Sequence, residues 1–119
     1  MIYSYFQSSG NFVGKDGSCS SGYSGYGDGK NNPADQQVEG QGPIPAGFYT
    51  IGPPEDHPKL GPLAYPLIPS QTNKMFGRSE FFIHGDSAQH PGDASHGCII
   101  LPHDARASLV PGSVLLVTA

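Results

Sequence analysis

Glycine and proline recur 17 and 12 times in these 119 residues, often enough to interrupt any long helix. Between them lie short runs rich in Tyr, Phe, Val and Ile, side chains that suit a pleated, half-buried surface. The expectation is a mainly β chain with long loops and one short helix. The length fits a single domain over residues 1–119, able to bury a modest core without several disulfides.

Residues 2–6 and 12–13 predict a hairpin that turns near Ser9-Gly10-Asn11. Residues 17–33, dominated by Gly, Ser, Asn and Tyr, predict a loop pinned by its tyrosines. Residues 42–47 form a rigid turn, and 48–51 alternate as a strand with one buried face does. The proline-rich residues 53–69 predict no more than an edge segment over 63–68. Residues 79–84 and 98–101 are the next strands. Asp104 is expected to cap a short helix ending near Leu109, and Pro111-Gly112 turns into a buried last strand over 114–117.

The net charge is −4, and the six Lys and Arg residues form no basic stripe, which argues against nucleic-acid or anionic-membrane partners. No ordinary export signal is expected in the first twenty residues, and no stretch approaches the roughly 20 apolar residues of a membrane span.

Phe81-Phe82-Ile83-His84-Gly85, followed ten residues later by Ser95-His96-Gly97-Cys98-Ile99, places a histidine and a cysteine in the setting of a thiol acyl-transfer enzyme. Cys98 stands at a loop-to-strand junction, where a side chain is both held and reachable. A thiol of pKa near 8.5 is only about 3 % ionised at pH 7 and needs a base. His84 is the expected partner, its second ring nitrogen donating to the Gly85 carbonyl. Lowering the thiol pKa by ~2 units raises the thiolate about 25-fold but costs about 8-fold in nucleophilicity, a net gain of about 3-fold. Most of the rate is therefore expected from oxyanion stabilisation, where one donor is worth roughly 3 kcal/mol, with the Gly97 and Cys98 amides as candidates.

Three other readings of these residues compete. A Cys19–Cys98 disulfide would make the bridge structural and mask the nucleophile; otherwise Cys19 is an incidental thiol. His84, His90, His96, Cys98 and His103, with Asp86 and Asp93, suggest a zinc hydrolase, but their intervals fit no common zinc framework, so no metal is expected. A sortase-like arrangement using Arg106 is disfavoured by the short separation of His84 and Cys98.

A strand ending in His84-Gly85, a loop, then Ser95-His96-Gly97-Cys98 resembles the L,D-transpeptidase catalytic domain. Pro45, Gly47, Tyr49 and Ile51 occupy the places of a second motif of that family. Gly22-Tyr23-Ser24-Gly25, Gly42-Pro43-Ile44-Pro45-Ala46-Gly47 and Gly77-Arg78-Ser79 resemble more closely the small L,D-transpeptidase-like effectors of type VI secretion, a likeness covering most of residues 22–101. This sequence departs from the family in its shorter loop from His84 to Ser95, and in Ile100, where many members carry Arg or Asn.

The resemblance implies a β-sandwich or barrel without a cofactor. It implies that Cys98 attacks the L,D-peptide bond before the terminal D-alanine of a peptidoglycan tetrapeptide stem and that His84 protonates the leaving group. Water, a D-amino acid or a second stem would take the acyl group. Gly85, His96 and Gly97 are implied members of the catalytic loop, and Arg78, Ser95 and Tyr23 are candidates for holding substrate. For Arg78 the expected contact is a bidentate grip on a stem carboxylate. Delivery by a type VI carrier into a competitor's periplasm, opposed by a periplasmic immunity protein, is also implied. A housekeeping L,D-transpeptidase and a non-catalytic cell-wall binding module are the rival readings.

Overall fold

The computed structural model describes residues 2–119. Its strands are β1 (Tyr3–Phe6), β2 (Asn11–Val13), β3 (Cys19–Ser21), β4 (Tyr23–Ser24), β5 (Gly47–Ile51), β6 (Glu55–His57), β7 (Gly61–Pro69), β8 (Phe81–His84), β9 (Ile99–Ile100) and β10 (Val114–Thr118). One short helix, α1 (His103–Ala107), lies between the last two. The chain is mainly β, as its composition predicts. Among the described residues no helix is long and apolar enough to cross a membrane.

The strands follow the order β3-β2-β1-β10-β5-β7-β8-β9-β4, with β6 paired to β7. The two ends of this path, β3 and β4, are separated in the chain by Gly22 alone, so one passage of backbone supplies both edges and nearly closes the sheet into a barrel. Gly22 donates to the Gly10 carbonyl at 2.8 Å, and a Cβ at Gly22 would collide with the Ile100 carbonyl. Closure of this kind removes the exposed edges along which open sheets aggregate.

Most neighbours are antiparallel, but β1 runs parallel to β10 and β8 parallel to β9. Alternation along β5 sends Tyr49 and Ile51 inward and Phe48 and Thr50 outward. The inward residues join Tyr5, Ile83, Ile99 and Leu115 in one core. Each such side chain contributes about 1.5–3 kcal/mol on burial.

The first hairpin forms as expected, with Ser4 opposite Val13 and Tyr5 opposite Phe12. Four other expectations are corrected. Residues 17–33 hold β3, β4 and two 3-10 turns; strands of two or three residues carry no readable period and exist only because β2 and β9 flank them. β7 is nine residues long and lies between β5 and β8 instead of at an edge. Of its three prolines, the central Pro66 is tolerated because its carbonyl accepts from Gly52 at 2.8 Å, just beyond β5, so the missing N–H falls where that ladder has ended. Helix α1 follows Pro102 at the cap position, leaving Asp104 inside its first turn. Finally, β10 buries Leu115 and Val117 but exposes Val114, because the outer face of the sheet meets solvent.

Candidate active site

The parallel pairing of β8 and β9 places His84 opposite Ile100, with Cys98 on the turn that feeds β9. His84 is buried and Cys98 half-buried. Both line a cavity of about 340 Å³, together with Leu60, Arg78, Phe81 and His96. A second, more polar cavity of about 640 Å³, reached by Lys59, His90 and Asp93, shares Leu60, His84, Ala94 and His96 with the first. His84 thus stands where the two meet.

His84 Nδ1 lies 2.8 Å from the Gly85 carbonyl oxygen, which has no proton to give, so Nδ1 carries the hydrogen and Nε2 is the basic nitrogen. Among the described residues Nε2 has no hydrogen-bond partner, yet it is not sealed from solvent, since the Tyr5 hydroxyl is the one buried, unpartnered side-chain atom among them. The Cys98 sulfur receives the Phe82 N–H at 3.4 Å and lies 4.0 Å from the Glu80 carbonyl. Sulfur and imidazole share the cavity without a direct hydrogen bond.

Burial pushes the Cys98 thiol up to about 11, outweighing the Phe82 N–H and the positive charge of Arg78. This reverses the expected lowering. The sulfur's partial exposure lets water in the cleft offset some of that penalty. Burial also lowers His84, with the Arg106 and His57 charges adding to it, against the opposing pull of the Gly85 carbonyl and Asp86. The resting pair is therefore a neutral thiol beside a neutral imidazole, and the proton has to move during attack.

Of the two candidate oxyanion donors, the Gly97 amide is occupied: it donates to Ser95 Oγ at 3.1 Å. The Cys98 amide has no hydrogen-bond partner among the described residues. Gly97 adopts φ +141°, and a Cβ there would sit 2.6 Å from Arg78 Nη2 and 2.7 Å from the Phe81 ring. Packing beneath the turn, not access for substrate, is what requires glycine at this position.

Ser95 is fully buried, and its hydroxyl accepts from Gly25 at 2.9 Å and from Gly97 while donating to the Cys98 carbonyl. That accounts for the hydroxyl within the fold. Ser24 works beside it, donating to the Gly97 carbonyl at 2.8 Å and accepting from Ile44 at 2.9 Å. Two hydroxyls from different strands and loops thus pin the turn that carries the thiol.

Arg78 is 5 % exposed. Nη1 donates to the Gln36 and Pro43 carbonyls at 2.6 and 2.8 Å, and Nη2 to the Gly42 and His96 carbonyls at 3.0 and 3.2 Å. All four Nη hydrogens are engaged by main-chain carbonyls, which organises the cleft wall. The Tyr23 hydroxyl donates to Asp86 at 2.6 Å and accepts from Ala94 at 3.0 Å, closing the base of the loop from His84 to Ser95. It lines neither cavity at His84 but borders a third one, with Asp86 and Arg106. His96 is exposed, held by Nδ1 to the Gly40 carbonyl at 2.9 Å and stacked on Tyr26 at 5.1 Å.

Cys19 and Cys98 are both free thiols. Among the described residues no three His, Cys, Asp or Glu side chains gather as metal ligands. Ser24 went unrecognised in the sequence as part of the site, and Arg106 was weighed there only for a sortase-like arrangement. Their partners are carbonyls tens of residues away, and no local pattern marks such contacts.

A family model described as the Tlde1 domain matches residues 19–112, which span β3 through the turn before β10. No curated protein matches the chain. The chain belongs to the Tlde1 domain family, a family of type VI secretion effectors.

Proposed function

We propose that this effector is an enzyme in which Cys98 cleaves the L,D-peptide bond before the terminal D-alanine of peptidoglycan tetrapeptide stems, in the periplasm of a target cell. The observation that carries the reading is the fixed tautomer of His84: Nδ1 is held by Gly85, which leaves Nε2 as the basic nitrogen of a ring that lines the same cavity as Cys98.

The sulfur forms a bond to the carbonyl carbon while the thiol proton passes to His84 Nε2. The oxyanion takes the unpartnered Cys98 amide. The C–N bond then breaks, the proton on Nε2 goes to the departing D-alanine amine, and a thioester remains on Cys98. Water releases a tripeptide; a D-amino acid gives exchange, and a second stem gives a cross-link. With a thiol near 11 and a depressed imidazole, free thiolate does not accumulate, so proton transfer accompanies carbon–sulfur bond formation. The second cavity beyond His84 offers room for the acceptor. A type VI carrier and a periplasmic immunity protein that plugs the cleft complete the proposal.

Incubation with purified tetrapeptide muropeptides, followed by mass spectrometry, tests it. The protein should release tripeptide or exchange the fourth residue, and Cys98→Ala and His84→Ala should do neither. Unchanged tetrapeptides, with and without added D-amino acids, would overturn it.

A further inference from the structure

The end of β8 is anchored by a side chain from α1. The His84 carbonyl accepts from the Leu101 amide at 3.0 Å, and the Leu101 carbonyl accepts from Arg106 Nε at 3.1 Å. Arg106 Nη1 donates to the Pro62 and Leu63 carbonyls at 3.0 and 3.3 Å. Nη2 lies against Gly85, where a Cβ would stand 2.7 Å from it. The Tyr65 hydroxyl, from β7, donates to the Arg106 carbonyl at 2.6 Å.

Arg106 is only 9 % exposed, and its guanidinium meets no carboxylate; the one ion pair among the described residues joins His103 and Asp104. Burying an unpaired cation is costly, and an apolar side chain could fill the same space. Here the cation lies directly behind the residue pair His84-Gly85. It touches Gly85, whose carbonyl sets the imidazole tautomer, and it braces Leu101, whose amide holds the His84 main chain.

We propose that Arg106 is a positioning residue that sets the orientation and protonation state of His84, an inference that rests on His84 serving as the base. Its fixed charge disfavours a second positive charge on the ring, so Nε2 stays unprotonated and able to accept the thiol proton. The other groups facing His84 are His57 from β6 and Asp86 from the following loop, with Cys98, His96, Lys59, His90, Asp93, Arg78, Glu39 and Glu80 around the shared cavities. Asp86 offers only partial compensation, because its carboxylate is already engaged by Tyr23, Ser87 and Gly92. Gly85 follows from the same arrangement: any larger residue would push the guanidinium away from the loop.

NMR titration of the His84 imidazole, with a pH profile of muropeptide turnover, tests the inference in wild type, Arg106→Lys, Arg106→Gln and Arg106→Met. Removing the charge should raise the His84 midpoint by about 0.5–1 pH unit. The acid limb of kcat/KM should move up equally, with roughly 2- to 5-fold lost at pH 6, little lost at pH 8 and KM unchanged. Arg106→Lys should keep the wild-type midpoint. Arg106→Gln retains hydrogen-bonding capacity without charge and carries the test if Arg106→Met does not fold. A folded uncharged variant whose His84 midpoint is unmoved, or whose loss is equal at every pH, overturns the inference. The titration reads His84 without turnover, so an inactive wild type would defeat the proposed reaction while leaving this result distinct.

Discussion

The backbone N–H of Phe82 points at the sulfur of Cys98 across 3.4 Å, the one direct donor that the thiol receives among the described residues. A single amide does not balance burial, and the thiol is pushed up to about 11. At pH 8 its thiolate fraction is then on the order of 0.1 %. Exposed Cys19 should therefore be alkylated by iodoacetamide well before Cys98, with the Cys98 rate still climbing above pH 9. Peptide mapping after timed labelling reads the order. Cys98 reacting first at pH 7 would show that His84 ionises it at rest.

Ser95→Ala removes a buried hydroxyl that serves two amides and one carbonyl. The orphaned groups should cost about 2–4 kcal/mol and lower Tm by at least about 8 °C, with turnover falling because the Cys98 turn loosens. Calorimetry that finds Tm within a degree or two of wild type would contradict the role assigned to this hydroxyl.

Arg78→Lys cannot reproduce four donors in a planar fork. The expected outcome is a loss of stability of about 2–3 kcal/mol and a lower kcat as the cleft wall shifts. A rise in KM alone, at unchanged Tm, would restore the carboxylate grip that the sequence suggested.

Gly97→Ala forces a Cβ into Arg78 and Phe81 from a backbone at φ +141°. Folding should suffer by at least about 2 kcal/mol, and turnover should drop more than 10-fold. Urea unfolding with the muropeptide assay reads both effects. A variant of wild-type stability and rate would mean that the turn has room to relax.

Asp86 connects loop stability to pH. Burial raises its carboxyl, but hydrogen bonds from Tyr23, Gly92 and Ser87, helped by Lys30, prevail and hold it below the usual carboxylate range. A depressed folded-state pKa contributes stability above the unfolded value, near 3.9, and that stability is lost as pH falls through the folded value. Asp86→Asn should therefore be less stable than wild type at pH 7, with the gap narrowing below pH 4. Thermal melts across pH 2.5–7 that keep a constant gap would remove the ionised carboxylate from the explanation.

Legibility followed the range of the interaction. β5 could be read because Tyr49 and Ile51 alternate with Phe48 and Thr50, and the first hairpin because Gly10 separates two apolar runs. The tautomer of His84 was readable because its acceptor is the very next residue. β3 and β4 were not, since two or three residues gain strand character only from the neighbours that barrel closure provides. Arg78, Ser95 and Tyr23 could be singled out by motif, but the carbonyls, amides and carboxylate that their polar atoms serve in the fold could not.

The order of residues alone determined a helix-poor, mainly β chain and a cysteine and histidine set beside glycines, because residue type and nearest neighbours govern backbone preference and local chemistry. Tertiary structure decided which amide is left for an oxyanion, why the thiol stays protonated, and that a cation from α1 stands behind the imidazole. Those properties depend on desolvation and on contacts between segments far apart in the chain, and both come into being only when the sheet closes.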